Sequence, residues 1–137
     1  MRFDADIIRD VLLKIEELLE CEDDENGWFG IESISWKEIY ENDCLCRVYE
    51  TSDIKYVIYK LSREGFIETK NQEVSGGVAK ITILDITKQG YDILNNIRDD
   101  RIFDKIKSSL AGVKNLSVDI ISRTASSVLS QIIKDQL

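Results

Sequence analysis

The sequence predicts one α+β domain, and three observations carry that expectation. Apolar residues recur at helical spacing from Ile7 to Leu19 and again from Ile54 to Leu61. A β-branched run, Ala79 to Ile86, follows the turn signal Val74-Ser75-Gly76-Gly77-Val78. Helical spacing then resumes after Thr87 and continues almost to the end, in a chain that has no Pro. At 137 residues the chain is long enough to bury roughly two thirds of its unfolded surface.

In chain order, Ile7, Ile8, Val11, Leu12, Ile15, Leu18 and Leu19 define a first helix that ends before Gly27. Asp4 is its expected N-cap, with Phe3 and Ile8 placed as a hydrophobic staple. Trp28 to Ile34 reads as one short strand, with Trp28, Phe29 and Trp36 expected in the core or packed against a strand. Ser35-Trp36-Lys37-Glu38 has the capping-box spacing, so a short helix is expected from Trp36 to about Asp43. Cys44 to Glu50 is a connection. Thr51 or Ser52 is the expected cap of a helix whose apolar face is Ile54, Val57, Ile58 and Leu61, with Gly65 just past its end. Phe66 to Lys70 and Ala79 to Ile86 form a hairpin. Thr87 caps the next helix, with Tyr91, Leu94 and Ile97 on one side and Gly90 permitting close approach to a neighbouring element. Phe103, Ile106 and Leu110 continue helically to Gly112, and a last helix from Ser117 carries Val118, Ile121, Ala125, Val128 and Ile132.

Composition excludes several kinds of chemistry. With no His, neither a Ser-His-Asp triad, a Cys-His dyad nor a His-ligated metal can form. Cys44-Leu45-Cys46 lacks the C-x-x-C redox spacing, and Cys21 is the one further thiol, so the cysteines read as structural or incidental. No nucleophile–base pair or cofactor loop is present, so the expectation is a non-enzymatic protein without a cofactor. No apolar run suits a signal peptide or a membrane span, and the odd cysteine count argues against a disulfide scaffold. The expected location is the cytoplasm, with reduced thiols. The formal charge is −8, and the first 26 residues account for −7 of it, three bases standing against ten acids. The run Cys21-Glu22-Asp23-Asp24-Glu25-Asn26 reads as a solvated loop, since a calcium loop needs alternating acids with a central Gly and a terminal Glu.

Helix, short strand, helix, helix, strand, turn, strand, helix is the winged-helix order, with the second and third helices as a helix-turn-helix and the late hairpin as the wing. Leu61-Ser62-Arg63-Glu64-Gly65-Phe66-Ile67 resembles the join of recognition helix to wing in that class. Ile86-Thr87-Lys88-Gln89-Gly90-Tyr91-Asp92-Ile93-Leu94 resembles the strand-to-helix join of winged-helix regulators. Over most of its length the chain is also similar to an uncharacterised family of small phage and prophage winged-helix proteins, YjcQ-like in style. Asp6-Ile7-Ile8-Arg9-Asp10-Val11-Leu12-Leu13 matches that family's opening. Leu94-Asn95-Asn96-Ile97-Arg98-Asp99-Asp100, with Phe103 and Lys105 to Lys107, matches its most specific stretch. Tyr91 stands where the family often has His and Phe103 where it has Trp; both keep an aromatic ring, which suggests packing. The resemblance implies a fold and a phage-like setting, and no activity.

The expected layout is a winged-helix domain over 1–97 and a helical extension over 98–137 packed on it as a single unit. If Ile54, Val57, Ile58 and Leu61 face inward, then Ser52, Lys55, Tyr56, Tyr59 and Arg63 lie outward, with Lys60 at the margin. Hydroxyls, cations and aromatics on such a face suit phosphates and base edges in a major groove, and Lys70 and Lys80 could add phosphate contacts from the wing. Against this, the excess of acid disfavours non-specific DNA binding, and residues 51–65 sum to only +1. The alternative is a protein-interaction adaptor on the same fold, using the acidic first helix or the C-terminal helix. That last helix can pack on helix one or on a second copy, leaving monomer and homodimer both open. Arg98-Asp99-Asp100-Arg101 reads as a helix junction of caps and ion pairs.

Overall fold

The computed structural model describes residues 2–136. Helix α1 (Ala5–Leu18) starts where expected, Asp4 accepting a hydrogen bond from the Ile7 amide at 3.0 Å. Its buried face is Ala5, Ile7, Ile8, Val11, Leu12 and Ile15. Phe3, half-buried ahead of the cap, lies edge-on to Tyr56 with ring centroids 5.4 Å apart.

The helix ends earlier than the apolar spacing suggests. Glu20–Asp23 (β1) pairs antiparallel with Phe29–Glu32 (β2), so the acidic run forms half of a hairpin instead of a loop. Its turn is built from polar bonds: one Asp24 carboxylate oxygen accepts from the amides of Asn26 and Trp28, both at 2.9 Å, and Gly27 has φ +85°. The expected single strand from Trp28 to Ile34 is two pieces in two sheets, since Ile34–Ser35 (β3) pairs with a different strand.

The capping box forms as read. Lys37 N donates to Ser35 Oγ at 3.4 Å, and Glu38 Oε2 accepts from Ser35 N at 2.9 Å. Helix α2 is only Trp36–Tyr40, because Asn42 caps another helix, α3 (Asp43–Cys46), inside the segment expected to be a connection. Helix α4 (Thr51–Arg63) takes Glu50 as its N-cap residue with no side-chain cap bond, in place of the Thr51 or Ser52 cap. Its core face is Ile54, Val57, Ile58 and Leu61, joined by Asp53, which accepts from the Arg2 amide at 3.1 Å.

Strands β4 (Ile67–Val74) and β5 (Gly77–Ile86) form the long hairpin, and the three-stranded sheet runs β3-β5-β4, antiparallel throughout. Helices α5 (Lys88–Ile97), α6 (Asp100–Leu110) and α7 (Val118–Gln136) follow. The α5 core face is Gly90, Ile93, Leu94 and Ile97; Tyr91, expected on that side, is 37% exposed.

Two joints lock the hairpin to the helices. Gly65 turns the chain with φ +82°. Thr87 Oγ1 donates to the Gly65 carbonyl at 2.7 Å and accepts from Gly90 N at 3.2 Å, while Thr87 N donates to the Phe66 carbonyl at 3.2 Å. A Cβ on Gly90 would lie 2.1 Å from that Phe66 oxygen, so the close approach read from the sequence is a backbone contact.

One apolar core joins these elements, and Phe103, Ile106, Val118, Ile121 and Ala125 belong to it along with α1, α4 and β5. Helix α7 packs on α5 and α6, whereas the sequence had left helix one or a second copy as its candidate partners. The architecture is α+β, helices with two small antiparallel sheets, and is compatible with the expected winged-helix class. Among the described residues no helix is long and apolar enough to cross a membrane.

Candidate nucleic-acid interface

Helix α4 carries four charged side chains, and their placement follows from its amphipathic spacing. Asp53 lies on the core side at 7% exposure, so Lys55, Lys60 and Arg63 are the charges left towards solvent. The C-cap residue Glu64 also turns one carboxylate oxygen inward, where it is buried without a hydrogen-bond partner. The outer surface of α4 is therefore positive within a chain that carries excess acid.

The individual side chains are held to different degrees. Lys55 Nζ lies 4.6 Å from the centroid of the Tyr40 ring and 5.5 Å from that of Trp36, so α2 supplies an aromatic support for it. The Arg63 guanidinium sits 5.8 Å from the Tyr59 ring centroid, one turn away. Ser52 and Arg63 are exposed; Tyr59 and Lys60 are half-buried. Tyr56 is the exception, its ring committed to Phe3.

Lys70 and Lys80 are exposed and share a face of the β4–β5 hairpin, since Lys70 pairs with Thr82 and Lys80 with Gln72. Side chains alternate along a strand, so this face is opposite to the one carrying buried Ile81 and Ile83. Ser62 of α4 instead bonds Thr69, the cross-strand partner of Ile83, at 2.6 Å. The eight predicted residues thus fall into two groups: Ser52, Lys55, Tyr56, Tyr59, Lys60 and Arg63 along α4, and Lys70 with Lys80 on the far face of the sheet.

Ion pairing divides the bases of the chain, and among the described residues Lys88, Arg101, Lys105, Lys114 and Lys134 elsewhere are unpaired like those of this region. Arg2, Arg9, Lys14, Lys37, Arg98, Lys107 and Arg123 all lie within 4.0 Å of a carboxylate oxygen. Among the described residues, Lys55, Lys60, Arg63, Lys70 and Lys80 have no such partner. Neither has Arg47, the exposed C-cap residue of α3, which sequence reasoning missed. Its position between the two helices of a candidate helix-turn-helix was the available signal.

The other candidates have structural roles. Arg98 makes two 2.8 Å hydrogen bonds to Glu16, which hold the Glu16 carboxyl below the usual carboxylate range and raise the guanidinium. Asp100 pairs with Arg9 at 2.6 Å, and Asp99 caps α6. This segment is a junction of α1, α5 and α6. Tyr49 is buried and donates to Asp10 Oδ2 at 2.5 Å; burial first, then that bond, pushes its hydroxyl far above the usual tyrosine value. Cys21, Cys44 and Cys46 are free and exposed, and no metal-binding group of His, Cys, Asp or Glu occurs among the described residues. Trp36 is buried as expected, but Trp28 and Phe29 are 55% and 62% exposed.

The comparison with protein families matches residues 2–117 to a family described as "Hypothetical protein (DUF2513)". The chain belongs to the DUF2513 family. The matched span runs from the residue before Phe3 through α6 and stops at Ser117, one residue before α7. The chain is also 26% identical over 136 residues to an uncharacterized protein of Haemophilus influenzae, an alignment covering 97% of this chain and 99% of that protein. No solved structure gives a significant match.

Proposed function

We propose that this DUF2513 protein is a winged-helix, DNA-binding regulator of the phage and prophage kind that its sequence resembles. In this reading α2 and α3 precede α4 as the recognition helix, and the β4–β5 hairpin is the wing. The observation that carries it is the charge on α4: its single acid is buried, and the three cations on its surface have no carboxylate partner among the described residues. Cations without an internal partner are available to phosphates, and counterion release then supplies affinity. Lys60 and Arg63 would contact the backbone, with Lys55 presented on the Tyr40 and Trp36 rings. Ser52 and Tyr59 are placed for base edges or phosphates. Tyr56 has a packing role, and Lys70 and Lys80 contribute flanking phosphate contacts.

Fluorescence anisotropy of a labelled generic duplex tests this. Three or four phosphate contacts predict binding about 100-fold weaker at ~200 mM than at ~50 mM salt. Reversing two of those charges in K55E/R63E should weaken binding at least about tenfold, and K70E/K80E should do less. Unchanged binding in K55E/R63E would remove α4 from the interface. No binding at the lower salt would shift the reading to a protein-interaction module on the same fold.

A further inference from the structure

The β1–β2 hairpin is exposed at every strand residue but Gly30, and its two faces differ. The register pairs Glu20 with Glu32, Cys21 with Ile31, Glu22 with Gly30 and Asp23 with Phe29. Alternation therefore places Glu20, Glu22, Gly30 and Glu32 on one face. Trp28 joins them, because its ring lies over Gly30: a Cβ added there would meet the indole carbons at 2.7 and 2.8 Å. Glycine at position 30 thus leaves room for the indole against the strand, and Trp28 remains 55% exposed. Glu20, Glu22 and Glu32 are exposed on the same face, and none is paired with a cation among the described residues.

We propose that this face docks an arginine-bearing segment of a protein partner, a guanidinium stacking on Trp28 while Glu20, Glu22 and Glu32 take the partner's charges. The occupant follows from charge complementarity. An exposed indole that shares a strand face with three unpaired carboxylates repels nucleic acid and other acidic surfaces. It attracts a planar cation that both stacks on indole and forks onto carboxylates, and arginine does this better than lysine. Exposed apolar surface with a polar rim is also where protein partners bind. The surface is distinct from α4, so this inference goes beyond DNA binding, and either can fail alone.

The test uses the full chain and two synthetic peptides of equal charge, one with alternating Arg and Thr, the other with alternating Lys and Thr. Trp28 is exposed and Trp36 buried, so tryptophan emission reports on the hairpin. The expected result is saturable quenching by the arginine peptide, weaker binding of the lysine peptide, and about fivefold weaker binding of the arginine peptide by W28A, read by anisotropy of the labelled peptide. E22Q/E32Q should also weaken it. Equal binding by W28A and the parent chain, or equal binding of the two peptides, would overturn the proposal in favour of diffuse attraction to acid. Concentration-dependent self-association abolished by W28A would overturn it in favour of a second copy as occupant. Thermal melts of W28A and G30A separate loss of the platform from loss of the hairpin; a G30A chain that melts normally should bind weakly, because its new methyl group displaces the indole.

Discussion

The two hairpins of this chain are held by different forces. The β4–β5 hairpin puts Ile67, Ile81, Ile83 and Ile86 into the core, and its base is bonded to the helices through Thr87 and the Gly90–Phe66 contact. The β1–β2 hairpin has no residue in the core; Asp24, accepting from two amides, and Gly27 shape its turn. One is ordered by burial, the other by local hydrogen bonds. A hairpin that gives its apolar side chains to the core cannot offer them to a partner. The other keeps Trp28, Phe29 and Ile31 in solvent, which makes it the better place to look for an interaction.

This difference can be challenged by mutation, and the largest effect is expected at the β5–α5 joint. Gly90→Ala forces a methyl group into the Phe66 carbonyl and the Ile86 side chain, where backbone must move. A loss of about 3 kcal/mol of unfolding free energy in urea is expected; a loss below about 1 kcal/mol would show that the joint is pliable. A smaller, pH-dependent effect is expected at Tyr49, which borders the same core. Its hydroxyl value is raised in the folded chain, so the unfolded chain ionises first, near pH 10. Stability contributed by the neutral hydroxyl is complete below pH 10 and falls as pH rises above it. Melts across pH 9–11 should show that fall, and Y49F should flatten it at a cost of about 1 kcal/mol at neutral pH from the lost bond to Asp10. The smallest effect belongs to the outer hairpin: F29A should change global stability by less than about 0.5 kcal/mol. A change of 2 kcal/mol or more would place Phe29 in the cooperative core and erase the contrast.

What could be read in advance follows the same division. Amphipathic helices α1, α4, α5 and α6 were legible because burial on one side imposes a 3.6-residue period on the sequence. The Ser35 box and the Asp4 and Thr87 caps were legible because each is a local bond. The β1–β2 hairpin was not, because an acidic strand open on both faces has no alternation to detect. Helix α3 was missed because Asn42 caps a helix of only four residues, too short for a period. Trp28 and Phe29 were expected in the core or packed against a strand on residue type alone; only register and neighbours decide whether a ring is covered, and Trp28 lies against Gly30 while staying exposed.

The candidate site divides likewise. That Lys55 and Arg63 lie on the solvent side of α4, with Lys60 at its margin, follows from the spacing of Ile54, Val57, Ile58 and Leu61. That Asp53 turns inward to the Arg2 amide, and that Lys70 and Lys80 stand on the far face of the sheet, required the fold.

By itself, then, the sequence determined the order of the longer helices and of the β4–β5 hairpin, the faces of those helices, most of their caps and the absence of histidine chemistry. All of these are set by composition or by residues within about one helical turn of each other. Only the tertiary structure decided which cations are neutralised, which aromatics are covered, and that α7 lies on α5 and α6. Charge pairing and burial depend on groups brought together across many residues, as Glu16 is with Arg98 and Arg9 with Asp100. Local pattern carries no record of such distances.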